Sequence, residues 1–510
     1  MHKAPTPPMS SLHIPVIVGV GEITDRTREP LQSLEPLALM AHALSAAEKD
    51  AGVKLLHDVG SLDVVSEYSW PYADAPALLS ARLGIAPARK FYGVAGGESP
   101  VRFMHEAALR IARGECKVAA VVGAEANYAV GAAEKAGLTL AWTSKDPDAK
   151  LVRGDSFLSP LAVRHGMFRP IHIYPLYENA TQAAWGQTQR EALQESGELW
   201  SRYSRVAQDN PASWSATGYA PDEIIQPGPA NRPVCWPYTK RMVANPMVNM
   251  GAAVLLTSLD HALSLGIPES RMVFLLGGAA ANEPRDYLHR DQYVRSHAQD
   301  AVLERSLALA GGEADAFAML ELYSCFPVVP KMARRTLGLA PDAQMTSTGG
   351  LSFFGAPLNN YMTHAAAGLV RALRQRPGQL ALLYGQGEYV TKHHALILAS
   401  RRPLPDEPLE PDYSVQADAD ARRGAVPDLL LEYEGSATLE TFTIVFGRGG
   451  EPEFGTVVGR TGAGQRLMAR VPANDAMTLG HLMDLDASPV GSMGTVAAGA
   501  DGLLTWTRAL

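Results

Sequence analysis

The sequence predicts an α/β protein: a duplicated core, an inserted loop subdomain between the two halves, and a small all-β, OB-like C-terminal domain. Three observations carry that prediction. Gly96 to Ala126 joins a glycine turn, a proline-started helix and an unbroken apolar run. Gly349 to Glu388 repeats the order, with the turn at Gly349, Pro357, an Ala/Leu-rich helix and the strand Leu380 to Leu383, about 257 residues further on. The chain after residue 428 instead alternates short apolar runs with Gly-rich turns, the pattern of a small barrel.

Taken in order, Ile14 to Val20 reads as a buried strand ending in a tight turn at Gly19 and Gly21. GVGEIT is not a dinucleotide fingerprint, because Thr24 stands where the third glycine belongs. Leu34 to Ala51 has helical spacing, and Asp63 to Val65 begins a short strand. Ser99 is a natural N-cap and Pro100 a natural first helical residue. Val101, Met104, Ala108 and Ile111 then give the buried face, Gly114 closes the helix, and Val118 to Val122 is a central strand. From 127 to 244 the periodicity breaks up among glycine, proline and aromatic residues, and a stretch this long is a subdomain rather than a loop. Its one clear amphipathic helix, Thr188 to Gln208, is expected over the active face. Ala252 to Thr257, Met272 to Leu276 and Ala316 to Leu320 are further strands, with a helix at Ala301 to Ala310. Residues 401–427 hold five prolines and six acids in 27 positions, so they read as a solvated linker. The resulting division is 12–126 with 245–400 as the core, 127–244 as the loop subdomain, and 428–510 as the β domain.

Composition narrows the function. At 510 residues the chain needs two or three domains. A net charge of −8 with no basic cluster excludes a nucleic-acid footprint. Cys116, Cys235 and Cys325 are too few and too dispersed for a disulfide framework or a metal site, which points to the reducing cytoplasm. The start, MHKAPTPPMSSLH, lacks the apolar core of a signal peptide, and no apolar run approaches the roughly 18 residues of a membrane span.

Five stretches, in order, give a family resemblance over about residues 12 to 400. GGESPVRFMHEAALRIARGE resembles the region where thiolases place Cys-x-Ser-Gly before a helix ending in Ile-x-x-Gly. NPMVNMGAAVLLTS is similar to the segment entering their second half, and LELYSCFP to the Glu-x-His-Asp-x-Phe stretch of sterol-carrier-type thiolases. GGLSFFGAP sits where thiolases carry Gly-Gly…Gly-His-Pro, and YGQGEYVTKHH where they carry Cys-x-Gly-x-Gly. The linker and β domain resemble thiolase-like type 1 proteins, which have an additional C-terminal domain. The resemblance implies a thiolase-type αβαβα core and an acetyl-CoA acetyltransferase or acyltransferase in lipid metabolism. It implies a CoA thioester as ligand and no bound cofactor. The chain would be a homodimer, or a monomer if the β domain covers the pairing surface.

The same alignment puts the nucleophilic cysteine at Gly97, its activating histidine at Ala356, the second cysteine near Leu383 and the oxyanion-hole Asn or His at Tyr323. Losing such a set costs several orders of magnitude, because its members act as a unit. The polar residues left nearby are Glu98, Tyr323 and His394 as candidate acid–base groups, with Gly97, Ser99, Gly355, Gly385 and Gly387 as candidate substrate contacts. Each has a plainer reading: Glu98 a solvated loop acid, Ser99 an N-cap, Tyr323 a space filler, and His393 and His394 strand-flanking polar residues. His105 and His364 sit inside the central helices, where core hydrogen bonding is expected. Two rivals stand beside a weakened acyltransferase. One is a thiolase-fold aldolase acting on β-hydroxyacyl-CoA through Tyr323, Tyr384 or Tyr389. The other is a non-catalytic acyl-CoA or lipid carrier, or a scaffold.

Overall fold

The first strand shows why Gly19 and Gly21 are glycines. A β-carbon on Gly21 would lie 2.5 Å from the Ala47 nitrogen, and one on Gly19 3.1 Å from the Ala47 carbonyl carbon. These residues therefore let the helix Pro36–Ala51 rest directly on strand backbone. They do not make the turn expected from the sequence; the strand runs on to Thr24. The computed structural model describes residues 13–405, 407 and 409–509. The proline-rich start through Leu12, expected not to be a signal peptide, lies outside the described residues.

The strands are β1 (Pro15–Thr24), β2 (Val59–Val64), β3 (Arg89–Tyr92), β4 (Val118–Ala126), the hairpin β5 (Pro233–Cys235) and β6 (Tyr238–Thr239), and β7 (Asn249–Ser258). The second half adds β8 (Val273–Asn282), β9 (Phe317–Leu322), β10 (Leu380–Gly387) and β11 (Lys392–Ala399). Among the described residues one sheet runs β3-β2-β4-β7-β1-β8-β11-β10-β9. Its two parts are copies. With each half's strands counted from one, the first is ordered 3-2-4-5-1, and the second follows the same path without strand three. Directions agree as well: β2/β4 and β9/β10 are parallel, while β4/β7, β10/β11, β1/β7 and β8/β11 are antiparallel. β1 pairs antiparallel with β8 and joins the copies.

The helices Ser99–Ala112 and Tyr361–Leu373 occupy matching places, each preceding a strand buried at every position, β4 and β10. They are buried on nearly all sides, as their Ala-rich faces require. Gly123 of β4 leaves the room that Asn360 fills, and the Asn360 amide donates to the Gly123 carbonyl oxygen at 2.6 Å.

The insertion is more regular than its sequence predicts. PIHIYPLYENA forms most of a helix, Pro170–Ala184, with Pro175 inside it. Interior proline normally breaks helices. Here burial of Ile173, Tyr174, Leu176 and Tyr177 outweighs the lost hydrogen bond. The helix Gln189–Asp209 opens with a capping box between Thr188 and Glu191.

The linker is not a free tether. Ala280 of β8 donates to the Tyr413 carbonyl at 2.9 Å, and Val415 donates to the Ala280 carbonyl at 3.0 Å, so the chain lies along the sheet. A short helix, Gln416–Arg422, and an Arg423–Glu283 ion pair at 3.2 Å follow. After β12 (Leu429–Leu430), the strands β13 (Gly435–Phe446), β14 (Pro452–Thr461), β15 (Arg466–Pro472), β16 (Met493–Ala498) and β17 (Leu504–Arg508) close into a five-strand barrel. Its core includes Phe442, Ile444, Val457, Leu467 and Trp506. The hairpin β5–β6 extends this sheet through Cys235 opposite Val445. Fully buried Arg466 donates to Glu440 at 2.7 Å and to the Leu288 and Arg290 carbonyls, tying the barrel to the core.

Candidate functional site

The turn before helix Ser99–Ala112 is held from across the duplication. Gly96 N–H donates to Asn359 Oδ1 at 3.0 Å, and Asn359 Nδ2 donates to the Ser66 carbonyl at 2.9 Å. The loop of Ala356 is thereby bound to the turn of Gly97. Gly97 has no free face: a β-carbon there would lie 2.5 Å from the Gln386 carbonyl oxygen and closer still to the Tyr323 hydroxyl. Tyr323 is buried, and desolvation holds its phenol well above the usual range. Ala356 and Leu383 are buried apolar residues that offer no proton acceptor.

Glu98 is where the structure departs most from the expectation of a solvated acid. It is only 6 % exposed, and its Oε2 has no hydrogen-bond partner. Burial pushes its carboxyl up to about 7, against an opposing pull from Lys392. Two glycines make the space. A β-carbon on Gly387 would sit 2.9 Å from Glu98 Cδ, and one on Gly96 2.6 Å from Glu98 Oε1. Gly385 packs on the Glu98 α-carbon at 3.0 Å by the same measure. The carboxyl borders a cleft of about 420 Å³, whose other walls include Lys392, Glu388, His393, His394 and the linker residue Tyr413.

His394 stands within β11 rather than flanking a strand. It meets His105 at 3.0 Å, and Tyr413 packs against both rings. Burial holds His105 down to about 3 and His394 well below the usual range, so both are neutral near pH 7. His393 is part of a directed chain. The Val390 carbonyl can only accept, so Nε2 carries the proton and Nδ1 accepts from the Tyr384 hydroxyl at 2.7 Å. Tyr384 in turn accepts from Gln299 Nε2 at 2.9 Å. Tyr389 donates to the Phe168 carbonyl at 2.7 Å. The hydroxyls of Tyr384 and Tyr389 are thus engaged in the scaffold, whereas Tyr323 faces Gly97.

Ser99 is the first helical residue rather than the N-cap, and its hydroxyl donates to the Gly96 carbonyl at 2.7 Å. Gly355, with φ +119°, packs beside Met250, Val248 and Trp214. Cys325 is buried, with its thiol pushed up to about 12, and Cys235 is raised further by the same cause. His364 hydrogen-bonds Glu22 at 2.7 Å inside the core. The structure therefore brings Gly97, Tyr323 and Gln386 together on one side of the turn, and Glu98, Gly387 and Lys392 on the other. Sequence reasoning passed over Lys392 and Tyr413. Lys392 lies within the glycine-loop stretch singled out above, so that position was its signal; Tyr413 had none in a linker read as solvated.

A twofold α/β core in which the loop before one buried helix is bound to the turn before the other defines a protein of the thiolase fold. The chain carries, over residues 415–501, the thiolase-like protein type 1 additional C-terminal domain. Along nearly its whole length it is similar to the crystal structure of a monomeric SCP2-thiolase like protein type 1 from Mycobacterium smegmatis. That match has 28% identity over 98% of this chain and 99% of the other, with a TM-score of 0.82. The fold without the extra domain recurs in the Ltp2-ChsH2(DUF35) aldolase, at 17% identity, 77% and 100% coverage and a TM-score of 0.59. It recurs again in human mitochondrial 3-ketoacyl-CoA thiolase, at 15%, 77% and 100%, and 0.56. No curated protein sequence matches the chain. Among the described residues no helix is long and apolar enough to cross a membrane.

Proposed function

We propose that the chain is an acyl-CoA-binding protein of the thiolase fold in which acyl transfer through a cysteine does not operate. One observation carries the loss of cysteine chemistry: position 97 has no room for any side chain, because Tyr323 and the Gln386 carbonyl fill it. The apolar character of Ala356 and Leu383 supports it. The thioester ligand is supported by the likeness to thiolase-fold proteins, one of them in complex with CoA. No cofactor is required, and the ligand is the thioester itself. Such a ligand would place the chain in lipid metabolism, and its three dispersed cysteines fit a reducing cytoplasm. The test is calorimetric titration with CoA and acetyl-CoA, followed by intact-protein mass measurement. Binding without a gain of one acetyl group is the expected result; acetylation of a specific residue would refute the reading.

A second reading, carbon–carbon cleavage of a β-hydroxyacyl-CoA, is favoured by the Tyr323 phenol facing the turn and by the free Glu98 carboxyl beside it. Its test is retro-aldol turnover in wild type and Tyr323→Phe, and unchanged turnover removes Tyr323 from it. A monomer is the proposed assembly, supported by the likeness to a monomeric relative. Light scattering at micromolar concentration tests that.

A further inference from the structure

The cleft beside Glu98 contains two groups with unused hydrogen-bonding capacity, and they complement each other. Glu98 is 6 % exposed, borders the cleft and has a carboxyl oxygen without a partner. Lys392 lines the same cleft. An ammonium has three N–H donors. One of these reaches the Ala95 carbonyl at 2.8 Å and another Glu388 Oε1 at 2.9 Å, which leaves a third. The two arginines at the mouth also carry ion pairs, Arg285 with Glu388 at 2.7 Å and Arg102 with Glu106 at 2.7 Å. The glycines at 96 and 387 are what admit the carboxylate, since a side chain at either would displace it. The strap Tyr413–Gln416 roofs the space.

A free carboxylate and a cation with a spare donor in one partly closed cleft are the parts needed to remove a proton next to a carbonyl. The carboxylate takes the proton while the cation holds the charge that develops on oxygen. We propose that Glu98 and Lys392 form a proton-transfer site for the α-carbon of a CoA thioester, separate from the filled position at Gly97. This rests on the preceding reading that a thioester binds. In the step, the α C–H bond breaks and its proton goes to the Glu98 carboxylate. The electron pair moves to the thioester oxygen beside the Lys392 ammonium, and no electron leaves the ligand. The new carboxyl exchanges its proton with solvent, and return of a solvent proton to the α-carbon restores the thioester.

The test is proton NMR of acetyl-CoA with the full-length protein in D2O, following loss of the acetyl methyl signal, with affinity measured by calorimetry on the same samples. Wild type exchanges the methyl protons. Glu98→Gln, which keeps the side-chain shape, slows exchange by about 100-fold or more with unchanged acetyl-CoA affinity. Lys392→Met slows exchange as well. Binding with no exchange in wild type would overturn the proposal alone, as would exchange at the wild-type rate in Glu98→Gln. Failure of acetyl-CoA to bind at all would overturn the preceding reading and this one with it.

Discussion

Placing a cysteine at residue 97 is predicted to harm the protein rather than create an acyl acceptor, and the simpler Gly97→Ala shows why. The added carbon falls 2.5 Å from the Gln386 carbonyl oxygen and against the Tyr323 ring, 2.6 Å from Cζ. A flexible side chain can swing aside, but Gln386 belongs to β10, whose backbone at this point is held by its pairing with His393 of β11. Overpacking of this kind costs about 1–3 kcal/mol, and a clash with backbone belongs at the upper end. Gly97 is not among the glycines with positive φ, so alanine regains about 0.4–1 kcal/mol by restricting the unfolded chain. The net loss is about 2 kcal/mol. Urea unfolding followed by tryptophan fluorescence measures it. Tyr323→Val should relieve part of the clash, so the double variant is expected to depart from additivity by about 1 kcal/mol. A Gly97→Ala protein as stable as wild type, or strict additivity with Tyr323→Val, would refute the steric argument. So would a Gly97→Cys protein that keeps its stability and takes an acetyl group from acetyl-CoA.

Gly387→Ala should destabilise the protein by overpacking against Glu98, and Glu98→Ala in the same chain should recover much of the loss in urea unfolding. The Glu98 carboxyl is raised in the folded state from 4.5 to about 7, so the folded protein holds the extra proton between those values. Stability must therefore fall as pH rises through that window, by up to about 3 kcal/mol from this group. Glu98→Gln removes that component, so the wild-type-minus-variant stability difference measured from pH 4.5 to 8 isolates it from Glu67 and Glu125, which are raised to about 7 and 8. Lys331 is fully buried against Glu178, and Lys331→Met is expected to cost about 3–5 kcal/mol by stranding that carboxylate, with Lys331→Met/Glu178→Gln closer to wild type. Arg466→Ala should loosen the barrel from the core, seen as faster hydrogen exchange in the Leu288–Asp291 segment that it clasps.

Much of the core was legible because its signals are local. Ser99-Pro100, the apolar spacing to Ile111 and the stop at Gly114 mark a helix whatever surrounds it, and β4 and β10 are apolar enough to be read as central strands. Counting back from Ile111 and Gly114 puts the cysteine position at Gly97, and LELYSCFP puts Tyr323 at the oxyanion-hole position; that the two touch is visible only in the structure. What escaped was decided by partners distant in sequence. The burial of Glu98 depends on Gly387, 289 residues later, and nothing in GGESP distinguishes it from a solvated acid. The helix around Pro175 is held by tertiary packing that outweighs a local helix breaker. Gly19 and Gly21 looked like a turn because glycine marks close approach as well as bending, and only the position of Ala47 separates the two.

The β5–β6 hairpin, seated on β13, has a consequence for anyone dividing the molecule. A chain cut in the linker would not shed an appendage cleanly. It would strip Cys235 of its pairing partner and bare a ready template for intermolecular strand addition. The excised barrel would show the complementary scar along Val445. Separate expression of the two pieces is therefore expected to give aggregation-prone fragments that recover solubility when mixed, a division of labour written into the hydrogen bonding rather than into the order of the chain.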